Sequence, residues 1–113
     1  MAVVQDELSL IFGALADPTR RAILERLVRD GDATVNQLAA PFAMTQQAIS
    51  KHLQVLERAR LITRGRAAQA RPCAVDAERF DSAADWIERN RQLWADRHDR
   101  LAAHLRRLRG AHD

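Results

Sequence analysis

Residues 45–62 read TQQAISKHLQVLERARLI, a helix start followed by a helix with one apolar and one polar face. The hydroxyl of Thr45 suits an N-cap, because it can accept a backbone N–H left unpaired in the first turn. Behind it Ala48, Ile49, His52, Leu53 and Leu56 recur at helical spacing. The other side offers Gln46, Gln47, Ser50, Lys51 and Gln54. That face has amides that can pair with base edges, an ammonium for a phosphate, and no carboxylate. A helix built this way suits the major groove of double-stranded DNA.

Immediately upstream, Thr34-Val35-Asn36-Gln37 has the form of a capping box and predicts a short helix with Leu38 toward the core. Pro41-Phe42-Ala43-Met44 supplies a turn between it and the Thr45 helix. Residues 34–58 therefore read as a helix-turn-helix. Further upstream, a helix is expected over about residues 3–15, with Leu8, Ile11, Phe12 and Leu15 on one side. Asp17-Pro18 restarts the chain as N-cap and first helical residue, and the next helix runs to about Arg29. Its inward face is expected to hold Ile23, Leu24, Leu27 and Val28, and Asp30-Gly31-Asp32 ends it.

Downstream, the periodicity changes. Ile62-Thr63-Arg64 and Arg71–Val75 read as two short strands, so residues 61–75 form a β-wing. Pro72 cannot donate to a ladder, which predicts that its strand lies at an edge. From Asp76 the chain reads helical to about residue 109. Phe80, Ala84, Ile87, Arg91, Trp94, His98, Leu101, Leu105 and Leu108 step by four and three residues, the repeat of a helix–helix seam. Such a helix would span roughly 50 Å, which a small domain cannot cover alone. It must protrude, kink or meet a partner; the other reading is that the stripe packs only on the chain's own core. Trp86 and Trp94 on one helix favour a homodimer seam.

Composition agrees. The 113 residues allow a single domain, 1–113, that is mainly α, and an apolar fraction of 47% suffices for one core. No apolar run reaches the length of a membrane span, and acids precede the apolar residues at the N-terminus, unlike a signal peptide. Cys73 is the single cysteine, which excludes an internal disulfide and a multi-cysteine zinc site. A cytoplasmic protein without cofactor or membrane partner is expected. Residues 33–75 hold Lys51, Arg58, Arg60, Arg64, Arg66 and Arg71 against Glu57, a net charge of +5, while the remainder is near neutral at −2. A basic middle is the footprint of a polyanion site, although a solvated basic face gives the same pattern. No nucleophile–base pair or glycine-rich phosphate loop is present, so no enzyme is read here.

These residues resemble a known family, the ArsR/SmtB winged-helix bacterial transcriptional regulators. The carriers are FGALADPTRRAILERL (12–27), TVNQLAAPFAMTQQAISKHLQVLE (34–57) and the wing after them, within a resemblance covering about residues 8–108. The resemblance implies a winged helix-turn-helix with a two-stranded wing and a long C-terminal dimerisation helix. It implies a homodimer paired through the first and last helices, binding an inverted-repeat operator as a repressor. By position, Thr45, Gln46, Gln47, Ser50, Lys51 and His52 fall where the family faces DNA, and Arg64, Arg66 and Arg71 fall in the wing; Gln54 shares the polar face. Leu8, Phe12, Phe80, Ile87, Trp94, His98, Leu101 and Leu105 would form the dimer interface.

Two departures stand out. The family usually has Gly where Arg60 stands after the recognition helix; if that position is left-handed, Arg costs about 1 kcal/mol more than Gly. The branch carrying "APF" before that helix often has Pro where Gln47 stands, so Gln47 adds a base-reading amide. That branch generally lacks metal ligands. The family's metal sensors place a Cys-x-Cys pair in the third helix, but residues 35–40 contain no Cys. Others place Asp and two His on the last helix; Asp96-x-His98 matches the first half, and Arg109 stands where the second His would be. His98 and His104, six apart, do not share a helical face. A sensor binding a metal or small ligand at the seam, and a protein-interaction module without DNA affinity, are the alternatives. Cys73 could sense oxidants if Arg71 lowered its pKa, or be incidental. His52 could touch DNA or pack between helices. Arg20 and Arg21 could contact phosphates or pair with Glu25 or Asp17.

Overall fold

The computed structural model describes residues 6–65 and 72–110. In chain order these form α1 (Glu7–Leu15), α2 (Pro18–Asp30), α3 (Val35–Ala39), α4 (Gln46–Arg58), β1 (Ile62–Arg64), β2 (Cys73–Val75) and α5 (Ala77–Gly110). The architecture is mainly helical with a two-stranded antiparallel wing, as the sequence predicts. The chain divides into two units, Met1–Ala83 and Ala84–Asp113.

Local chemistry sets the helix starts. Asp6 has an extended backbone and its carboxylate accepts from Ser9 N–H at 2.7 Å. An N-cap cannot also be helix interior, so α1 begins at Glu7 rather than near residue 3; positions 3–5 lie outside the described residues. Asp17 caps α2 through Arg20 N–H at 3.0 Å, with Pro18 in the first turn. Thr34 and Gln37 complete the capping box of α3, each side chain accepting the other's backbone N–H at 3.3 and 2.9 Å. Thr45 Oγ1 accepts Ala48 N–H at 3.1 Å and opens α4.

The core of the first unit is built from Ile11 and Ala14 of α1, Ile23, Leu24 and Leu27 of α2, Leu38 of α3, and Ile49, Leu53 and Leu56 of α4, closed by Leu61, Ile62 and Cys73. Val28 is a correction: it is 67% exposed. It falls about 90° round the helix from the centre of the sector that Ile23, Leu24 and Leu27 bury.

α4 stops in a Schellman motif. Leu61 N–H returns to Leu56 O at 3.0 Å and Arg60 N–H to Glu57 O at 2.9 Å, with Arg60 left-handed at φ 60°. The chain then enters the wing, where Ile62 pairs Val75, Thr63 pairs Ala74 and Arg64 pairs Cys73. Among the described residues the sheet has two strands, so β2 lies at an edge as Pro72 predicts, but Pro72 itself stands outside the strand. Pro72 precedes β2, and its carbonyl accepts Gly65 N–H at 2.8 Å, so no donor is required of it. The next residue, Cys73, is bridged on its other side by Ala33.

Asp76 Oδ1 accepts Glu78 N–H at 3.1 Å at the start of α5. Within the first unit Phe80 packs against the core and Ala83 is buried. No described residue after Ala83 is buried. In the second unit Ile87, Trp94, Leu101, Leu105 and Leu108 are exposed, as are Trp86 and Leu93 beside them.

Candidate nucleic-acid interface

Burial of Ile49, Leu53 and Leu56 turns the other side of α4 to solvent. Thr45, Gln46, Gln47, Lys51 and Gln54 are exposed and Ser50 is half-buried. No acid lies in the first turn of α4, whose N-terminal end carries the partial positive charge of a helix start. Gln46 is tied down: its Nε2 donates to Asn36 Oδ1, linking α4 to α3. Asn36 is an exposed residue that the sequence reading did not single out, and its signal was only its place in the first turn of α3. The three glutamines, Ser50 and Lys51 thus form one neutral-to-positive polar strip, with donors and acceptors together.

A cluster at the α1–α2 junction holds this helix. Arg20 Nε donates to Ala14 O at 2.7 Å and Nη2 to Gly13 O at 3.2 Å. Arg21 Nη1 donates to Leu15 O at 2.7 Å. Helix α1 has no basic residue in its own last turn, so two arginines of α2 satisfy its terminal carbonyls and complement its dipole. The expected ion pairs with Glu25 or Asp17 are therefore not the contacts these guanidiniums make. Arg20 Nη1 also lies 3.4 Å from Nδ1 of His52, and Asp17 Oδ2 lies 3.8 Å from the same nitrogen. The Arg20 backbone N–H, and then the positive charge of Arg20, hold the Asp17 carboxyl below the usual carboxylate range. His52 thus faces α2 rather than the exposed strip, with its side chain 20% exposed. At the other end of α4, Arg79 of α5 donates through Nε to Ala59 O at 3.3 Å and pairs through Nη1 with Glu7 of α1.

On the wing, Arg64 is half-buried, and its Nε is buried without a hydrogen-bond partner among the described residues. Arg66 and Arg71 lie outside the described residues. Cys73 is fully buried, which removes the access that an oxidant-sensing thiol needs. Among the described residues no group of three or more His, Cys, Asp or Glu side chains is placed to hold a metal ion. His98 instead stacks on Trp94, ring centroids 4.9 Å apart and 15° from parallel. No helix among the described residues is long and apolar enough to cross a membrane.

Comparison with known proteins agrees with this geometry. Residues 15–65 match a helix-turn-helix domain family. The chain is 32% identical over 77 residues to the transcriptional repressor SdpR of Bacillus subtilis, covering 68% of this chain and 84% of that protein. A crystal structure of an ArsR family transcriptional regulator is 42% identical with a TM-score of 0.75, covering 80% of this chain and 98% of the other. An ArsR-like transcriptional regulator from Rhodococcus sp. RHA1 is 31% identical with a TM-score of 0.71, covering 80% and 85%.

Proposed function

The chain belongs to the ArsR family of winged helix-turn-helix, DNA-binding transcriptional regulators, and from that premise we propose that it is a homodimeric, cytoplasmic repressor reading an inverted-repeat operator through α4. The observation that carries this is the acid-free exposed strip of Gln47, Lys51 and Gln54 on a helix whose other face is locked in the core. A surface for a protein partner would have no need to exclude carboxylates. Gln47 and Ser50 read base edges, while Lys51, Arg64, Arg66 and Arg71 contact phosphates and set the register.

Pairing is assigned to the seam of α5, with Leu8 and Phe12 of α1 and Phe80 contributing. Its exposed Ile87, Trp94, Leu101 and Leu105 repeat at coiled-coil spacing. Two copies of α4 would then enter successive major grooves, about 34–36 Å apart. The repressor sign is supported by SdpR, which is a repressor by name.

Control without a metal is part of the proposal. Helix α3 carries no Cys, and Asp96 with His98 supplies at most two ligands per chain. A second reading, an organic effector bound at the seam, is favoured by a hollow along α5 lined by Trp94, Arg97, His98, Leu101 and His104.

A gel shift tests the main reading, using the DNA upstream of the protein's own gene and a scrambled duplex of equal length. Retardation of the upstream duplex at concentrations that leave the scrambled one unbound is expected. Equal retardation would remove the sequence-specific part of the proposal. Titration of the protein with Zn²⁺ tests the last part: a sub-micromolar site lost in His98→Ala, with release of DNA, would place it among metal sensors.

A further inference from the structure

His52 stands in the helix that faces DNA, yet its ring is turned toward the junction of α1 and α2. We propose that His52 is a positioning residue, acting through Nδ1 to fix the setting of α4, and not a DNA contact. The inference rests on the reading of α4 as the DNA-reading helix and deepens it.

The chemistry of the cluster carries the assignment. A guanidinium has only donors, so the 3.4 Å approach of Arg20 Nη1 makes Nδ1 the acceptor and leaves the ring proton on Nε2. The guanidinium is itself fixed, because its Nε and Nη2 are held by the carbonyls of Ala14 and Gly13 at 2.7 and 3.2 Å. Asp17 Oδ2, which already caps α2, lies 3.8 Å from the same Nδ1 and places a negative charge beside the pair. The Arg20 guanidinium therefore joins the end of α1 and the start of α2 to the middle of α4, which it meets at the His52 ring.

The consequence for recognition is geometric. His52 follows Lys51 directly and lies little more than one turn from Gln47. Rotation of α4 by about 20° would move a side-chain tip by about 2 Å at the roughly 5–6 Å radius of a helix. An amide paired with a base edge at hydrogen-bond distance does not survive such a shift. A phosphate contact by a long Lys side chain does. Loosening the His52 anchor should therefore reduce discrimination between sequences and spare non-specific affinity.

Isosteric variants test this, because Asn places an amide oxygen near the position of Nδ1 and Gln places its amide near that of Nε2. Fluorescence anisotropy would use two labelled duplexes, one from upstream of the protein's own gene and one of random sequence. His52→Ala and His52→Gln are expected to lose about tenfold on the upstream duplex, the worth of one charge-assisted hydrogen bond. Both should keep their random-duplex affinity and salt slope, and His52→Asn should stay within about threefold of wild type. Arg20→Lys removes the fork without touching α4. It should show the same loss of discrimination at unchanged helix content, and wild-type discrimination in it would overturn the proposal. Retention by Gln with loss in Asn would overturn it too, as would a salt slope lowered by about one in His52→Ala, because either marks an Nε2 contact to DNA. Wild-type protein that binds both duplexes equally would instead bring down the underlying reading of α4.

Discussion

Ala33 and Cys73 exchange both backbone hydrogen bonds, Ala33 N–H to Cys73 O at 3.1 Å and Cys73 N–H to Ala33 O at 2.7 Å. The segment before α3 thereby serves β2 as a third, one-residue strand, and Cys73 is sealed between it and the core. A thiol reagent should react with the native protein only through an opening of this region, and stoichiometrically at once in denaturant. Rapid full labelling in native buffer would contradict the burial of Cys73.

Arg60 occupies the left-handed position of the Schellman motif at φ 60°. Arg60→Gly should raise stability by about 1 kcal/mol, less the extra chain entropy that Gly loses on folding. Urea denaturation measures it. A fall in the midpoint would show that the Arg60 side chain contributes more than its backbone strain costs.

Asp17 titrates with folding. Its carboxyl is held below the usual value chiefly by the Arg20 backbone N–H, then by the charge of Arg20. A carboxyl depressed in the folded state adds stability that is fully present above its unfolded pKa of about 4, and that is lost as pH falls through the folded value. Asp17→Asn keeps an N-cap but removes this titration. The stability gap between wild type and variant should therefore be present at pH 7 and shrink toward zero in strong acid. An unchanged gap across that range would assign it to packing.

Trp94 is 65% exposed in the single chain and stacks on His98. Trp94→Glu places a charge in the proposed seam, where desolvation without a partner is costly. The variant should sediment as a monomer and lose binding to the upstream duplex while keeping its helix content. A wild-type protein that is itself monomeric at micromolar concentration would refute the seam.

Much of this was legible because local chemistry decides it. The caps at Asp17, Thr34 and Thr45, the restart at Pro18 and the apolar sector of α4 are each written in adjacent residues. What stayed hidden needed tertiary neighbours. Arg20 and Arg21 look like surface charges until the end of α1 is placed against them. Arg79 looks like a first-turn cation of α5 until Ala59 O and Glu7 flank it. Val28 fits the apolar period, but its side chain lies 67% exposed. His52 could be read either way, because periodicity gives its face without giving its partner.

The most direct test of the account is the binding of Gln47→Ala and Lys51→Ala to the upstream and random duplexes over a range of salt. Gln47→Ala should lose about 1–3 kcal/mol on the upstream duplex alone, and Lys51→Ala should weaken both and flatten the salt slope by about one unit. A Gln47→Ala protein weakened equally on both duplexes, or on neither, would contradict base reading by α4.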